Sequence, residues 1–139
     1  MSGERDLAVL LASMRAYQQP GDYVFAVAPE GLDLTALRPV VTVTEPEGLT
    51  VVVRREQADA AGLRYDYLAA WLTLRVHSAL DAVGLTHAVS GRLAEHGISC
   101  NVVAGYHHDH LFVPADRAAE ALAALDALSA SHTPSTESG

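Results

Sequence analysis

Residues 68–114 read LAAWLTLRVHSALDAVGLTHAVSGRLAEHGISCNVVAGYHHDHLFVP, and the succession of patterns within them decides the fold. From Leu68 to Val76 an apolar run centred on Trp71-Leu72-Thr73-Leu74 reads as a strand. The loop His77-Ser78-Ala79-Leu80-Asp81-Ala82-Val83-Gly84 follows. A helix is expected from Leu85 to His96, with Leu85, Val89 and Leu93 one turn apart and Gly97 at the C′ position. Ile98 to Ala104 and Leu111 to Val113 read as strands joined by the turn Gly105-Tyr106-His107-His108-Asp109-His110. Asp116 is placed to cap a last helix, with Ala118, Ala121, Leu122, Leu125 and Leu128 facing inward.

Upstream lies a rougher copy of the same order. Asp6 to Tyr17 is expected to be helical, with Leu7, Leu10, Leu11 and Met14 on one face, and Gln18 to Asp22 breaks it. Tyr23 to Ala28 is a strand stopped by Pro29 and Gly31, and a connector runs from Leu32 to Pro39. Val40 to Thr44 and Leu49 to Val53 form a hairpin around Glu45-Pro46-Glu47-Gly48. Glu56 to Ala61 is a short helix ended by Gly62. The expected division is an N-terminal half (residues 1–62), a C-terminal half (63–128) and a Ser/Thr/Pro-rich disordered tail (129–139). The fold class is α+β, a ferredoxin-like sandwich with helices packed on an antiparallel sheet. Neither half completes that plan alone, so the strand from Leu68 is expected to bridge them.

Composition narrows the function. Half of the 139 residues are hydrophobic, which rules out disorder over most of the chain. A domain of this size buries roughly two-thirds of its unfolded surface. No apolar run approaches the ~20 residues needed to cross a membrane. Met1-Ser2-Gly3-Glu4-Arg5-Asp6 has neither the basic nor the apolar region of a secretory signal, and the lone Cys100 permits no internal disulfide. A cytoplasmic location is expected. The formal charge of −8 is spread out and argues against nucleic-acid partners, with no arginine cluster in sequence beyond Arg54-Arg55. All nine basic residues are arginine, so Schiff-base, pyridoxal and Walker-A lysine chemistry are excluded.

The remaining reactive groups point to no catalytic centre. His108 and His110 can share one face of a strand, with His77 or Asp109 brought in by folding as a metal site would require. A polar hairpin in which Asp109 bonds its own turn is the simpler reading, and neither metal nor cofactor is expected. Cys100, in the middle of the strand expected from Ile98 to Ala104, behaves as a small hydrophobe. Ser78, His77 and Asp81 supply triad residue types, but adjacency is not triad geometry. Trp71 reads as core. No nucleophile elbow, CxxC or HExxH occurs, so the chain is expected not to be an enzyme.

The stretches Trp71 to Leu85, Gly97 to Tyr106 and His108 to Pro114, with the hairpin Val41 to Thr50, resemble small bacterial tandem ACT-domain proteins. These are related to the regulatory modules of aspartate kinases and to amino-acid sensors. The resemblance spans about residues 5 to 128 and implies two fused ACT-like halves that regulate by binding a small molecule, an amino acid first. It places the ligand where the first strand passes into the first helix. Here that is His77, Ser78, Leu80, Asp81, Val83, Gly84 and Leu85, with Asn101 and Val102 on the facing strand. Apart from the resemblance, His108 and His110 are expected to hydrogen-bond the ligand if their hairpin packs against the His77 loop.

Physical chemistry supports the same location. A helix beginning at Gly84 or Leu85 offers unpaired N–H groups and a positive dipole end to a carboxylate. Gly84 permits close backbone approach, and Asp81 or Asn101 can take the ammonium. The degenerate connector from Leu32 to Pro39 argues against a second site in the N-terminal half. Pairing of exposed sheet edges is expected to give a homodimer, and a downstream protein partner is implied but unidentified. The alternatives are a ligand-free protein-interaction module of the same fold and, more remotely, a small enzyme using the His turn as acid–base.

Overall fold

The computed structural model describes residues 6–76 and 82–132. Its first half contains α1 (Leu7–Ser13), β1 (Arg15–Gln18), β2 (Tyr23–Ala28), α2 (Leu34–Leu37), β3 (Val41–Glu45), β4 (Gly48–Arg54) and α3 (Arg55–Ala60). The second contains β5 (Leu68–Arg75), α4 (Leu85–Glu95), β6 (Asn101–Ala104), β7 (Asp109–Pro114), a 3-10 turn (Ala115–Arg117) and α5 (Ala118–His132).

All seven strands join one antiparallel sheet in the order β3-β4-β2-β5-β7-β6, with β1 also paired to β5. One edge of β5 is shared between two partners. Its first residues pair with β2 (Tyr23↔Ala69, Val24↔Leu68) and its last four with β1 (Arg15↔Arg75 to Gln18↔Leu72). Its other edge pairs with β7 along Ala69↔Pro114 to Leu74↔Asp109. In each half the spatial order is therefore fourth, first, third, second: β5-β2-β4-β3 and β1-β5-β7-β6. β5 ends the first motif and begins the second, while β1 returns from the N-terminus to close the second. The bridging role expected of the strand from Leu68 is what the pairing shows.

The helix expected from Asp6 to Tyr17 stops at Ser13, and β1 follows it. Asp6 caps its start, the Oδ1 accepting from the N–H of Val9 at 3.2 Å. The helical face survives, because Leu10, Leu11 and Met14 are all buried. Beyond Met14, tertiary pairing overrides helix propensity: β5 presents backbone groups from Leu72 to Arg75 that need partners, and residues 15–18 supply them. The connector of the first half also proves to hold one helical turn, α2, capped by Asp33 accepting from Thr35 N–H at 2.9 Å. The strand expected from Ile98 begins at Asn101. Gly97, at φ +69, ends α4 in a Schellman turn, with Gly97 N–H bonding Ala94 and Ile98 N–H bonding Leu93. Asp116 falls inside the 3-10 turn, and α5 continues through His132 with Ser129 buried, so residues 129–132 are not tail. Residues 133–139 lie outside the described residues.

Pleat alternation divides the packing between the two faces. On the helix face, Leu72, Leu74, Leu111 and Val113 meet Leu10, Leu11 and Met14, Leu85, Val89 and Leu93 of α4, and Ala121, Leu125 and Leu128 of α5. A second cluster (Val24, Ala26, Val51, Val53 with Leu37 and Ala58) packs under α2 and α3. The opposite face carries an aromatic cluster of Tyr23, Phe25, Tyr67, Trp71 and Phe112. Phe112 there is 0% exposed, 5.5 Å edge-on to Phe25 and 6.2 Å from the Trp71 ring.

Candidate functional site

β5 feeds α4 at one end of the sheet. His77, Ser78, Leu80 and Asp81 lie outside the described residues; Val83, Gly84 and Leu85 lie within them. Gly84 is the N-cap of α4 at φ +99, a backbone conformation that suits glycine, and it brings no side chain to the free N–H groups. A Cβ on it would stand 3.1 Å from Cδ2 of Leu7, so α1 roofs this junction. Val83 is 83% exposed, whereas Leu85 is buried in the core. Leu85 therefore has only its backbone to offer a ligand.

The His-rich turn lies at the same end, since Asp109 pairs with Leu74 near the end of β5. Gly105 N–H bonds the carbonyl of His108 at 2.9 Å to close it. A Cβ on Gly105 would come within 2.7 Å of that carbonyl oxygen, so the turn requires glycine. His108 Nδ1 is buried with no hydrogen-bond partner among the described residues. Burial pushes the Asp109 carboxyl upward, against the pull of His110 and His108. Among the described residues, no group of three or more His, Cys, Asp or Glu is arranged to hold a metal.

His110 turns instead to the aromatic face. Its Nδ1 accepts from Trp71 Nε1 at 3.0 Å and lies 3.3 Å from Thr73 Oγ1, which accepts from Gln19 Nε2 at 3.0 Å. An indole N–H only donates, so Nδ1 must be unprotonated and the imidazole neutral. Burial, with the charge of nearby His108, holds the His110 pKa below its ordinary 6.5, against a smaller pull from Asp109. With the folded pKa below the unfolded one, the unfolded chain binds the extra proton. Stability is then full above the unfolded pKa and falls as pH drops through about 6.5. In His110→Asn, which keeps an acceptor but does not titrate, thermal melts between neutral and mildly acidic pH should lose less stability than the parent. Parallel pH profiles would contradict this assignment.

Asn101 is not brought to Gly84, while Val102 shares a cluster with Leu85. Val102 packs toward the helix-face core and Val103 toward the aromatic face, so Asn101 shares the face of Val103. Asn101 also pairs with Phe112, three residues and about 10 Å along the sheet from Ala104 at the end occupied by Gly84. The sheet stands between Asn101 and the start of α4. His110 lies across the sheet from that helix as well. Cys100 is partly buried, and desolvation raises its thiol to about 11, so it carries no thiolate at neutral pH.

A cleft of about 500 Å³ opens elsewhere, lined by Gln19, Pro20, Tyr23, Arg38, Val40, Arg54, Gln57 and Trp71. No local pattern in the sequence announces it. Its residues come from four separated segments, and Arg38 joins Arg54 at its wall only because the β3–β4 hairpin folds back. Trp71, expected as core, is half-buried and walls this cleft.

Residues 2–70 match one ACT-domain family and residues 68–127 match another. The two matches overlap at residues 68–70, the start of the shared strand β5. A Vibrio cholerae protein of unknown function, described as a possible transport protein, is 49% identical, with TM-score 0.81, over 88% of this chain and 95% of its own. An Agrobacterium tumefaciens protein aligns at 20% identity and TM-score 0.66, over 84% of this chain and 89% of that one. The ligand-free regulatory subunit of aspartate kinase from Thermus thermophilus shares the fold at 12% identity and TM-score 0.60, over 81% and 95%. A search of curated proteins finds no match. The chain belongs to the ACT-domain family, as two ACT domains in tandem built on one sheet.

Proposed function

We propose that this protein is a non-catalytic, cytoplasmic regulator that binds an amino acid at the β5–α4 junction of its C-terminal domain. The observation that carries the proposal is the glycine N-cap of α4, which leaves a helix N-terminus without a side-chain cap among the described residues where β5 ends. The buried, unpartnered Nδ1 of His108 at the same end of the sheet is the second support. In this proposal the first N–H groups of α4 take the carboxylate, and Asp81 takes the ammonium. His77, Ser78 and Leu80, which also lie outside the described residues, complete the proposed seat.

Regulation through a partner is proposed on the likeness to the Thermus regulatory subunit. β3 and β6 are the outer strands of the sheet, and pairing of either with its copy is the proposed route to a homodimer. The functional division follows the sequence expectation, with the ligand in residues 63–128. Among the described residues no helix is long and apolar enough to cross a membrane.

A thermal-shift screen of the full chain against the twenty amino acids tests the proposal. A ligand at one hundred times its Kd adds about 2.7 kcal/mol of stability. One hit is expected, abolished in Asp81→Ala. No stabilisation by any amino acid would favour the ligand-free interaction module.

A further inference from the structure

The cleft between β2, α2, α3 and β5 is built differently from the β5–α4 junction. It is lined by two guanidinium groups and no carboxylate, in a chain of formal charge −8. Neither Arg38 nor Arg54 has an ion-pair partner among the described residues. The Arg54 guanidinium lies over the Tyr23 ring, 5.9 Å from its centroid. Gly21, at φ +95, leaves room beside it, where a Cβ would come within 3.3 Å of Cζ. Arg54 is thus held by stacking with its donors uncommitted.

Arg38 is odder. It caps the C-terminus of α2 at φ 54 and ψ 56, and no other non-glycine residue described here has a positive φ. Glycine or asparagine is the unstrained choice at such a cap. An arginine placed there strains the backbone and gains no ion pair or side-chain hydrogen bond among the described residues. Strain kept without local return marks a residue held for something outside the fold. The cleft also has an aromatic wall, with Trp71 and Tyr23 edge to face at 5.3 Å, and the Gln57 amide is unpartnered among the described residues. Its volume falls within the range of small-molecule sites.

We propose that this cleft binds a small organic anion, its oxyanion held by Arg38 and Arg54 and its planar or apolar body lying against Trp71 and Tyr23. Carboxylate and phosphate share the required chemistry. The N-terminal domain thereby holds a site of its own, independent of the amino-acid seat proposed above.

Trp71 is the only tryptophan, so its fluorescence reports on this cleft directly. The full chain is titrated with benzoate and with phenyl phosphate at constant ionic strength. A saturable change in Trp71 emission below about 10 mM is expected from at least one probe, and the tighter probe names the oxyanion. Arg54→Gln should weaken that binding about tenfold or more. Arg38→Gly should do the same without lowering the melting temperature, because it relieves the strained cap; a merely structural Arg38 would give the opposite pattern. No saturable change with either probe, or unchanged affinity in both variants, would overturn the proposal. Either result is independent of whether an amino acid binds near Gly84.

Discussion

Expressed separately, residues 1–62 and 63–139 should each fail to fold cooperatively, and mixing them should restore the native circular-dichroism spectrum. The pairing makes this the largest effect expected. Without β5, the first fragment exposes the edge of β2, and α1 and β1 lose the surface they pack on. Without the first fragment, the second loses Leu10, Leu11 and Met14, which are buried against its own helices. Removing one such side chain costs about 2–5 kcal/mol, against a total stability of about 5–15 kcal/mol for a domain. Losing three together, with the four β1 residues that pair with β5, exceeds what a half-domain has in reserve. Two independently folded fragments would show that the shared strand is dispensable.

Phe112→Ala should cost about 3–5 kcal/mol in urea denaturation, although no helix among the described residues joins the cluster around Phe112. Phe112 is 0% exposed because the face covers itself: Trp71 stacks on it at 22° between ring planes, and Phe25 meets it edge-on. Truncation removes the aromatic contacts and leaves a cavity between Phe25 and Trp71. The loss should also shift Trp71 fluorescence. A cost below about 1 kcal/mol would mean that the aromatic face collapses readily and contributes little to the core.

What was legible in the sequence depended on how local the cause was. α4 could be read from Leu85, Val89 and Leu93, and its end from Gly97, because caps and helical periodicity act within a few residues. The β3–β4 hairpin was readable for the same reason, with Glu45↔Gly48 closing around Pro46-Glu47. β1 was not. Residues 15–18 are extended because β5, more than fifty residues later, needs an edge partner, and no property of residues 15–18 announces that.

The candidate site divides the same way. The positive φ of Gly84 follows from glycine before a helix and was readable. The place of Asn101 along the sheet depends on its register against Phe112, which no local pattern sets. The network of Gln19, Thr73, Trp71 and His110 joins β5, β7 and the residue after β1, and has no signature in any one of them. Arg38 left one faint trace: α2 ends without the glycine or asparagine that a left-handed cap favours.

The most direct measurement of the proposed function is amide chemical-shift mapping of the full-length protein by NMR while it is titrated with the twenty amino acids. One amino acid should give saturable shifts centred on the N–H groups of Leu85, Thr86 and His87 at the start of α4, with His108 following. Shifts absent for every amino acid, or confined to cleft residues such as Gln57 and Trp71, would contradict an amino-acid seat at the β5–α4 junction.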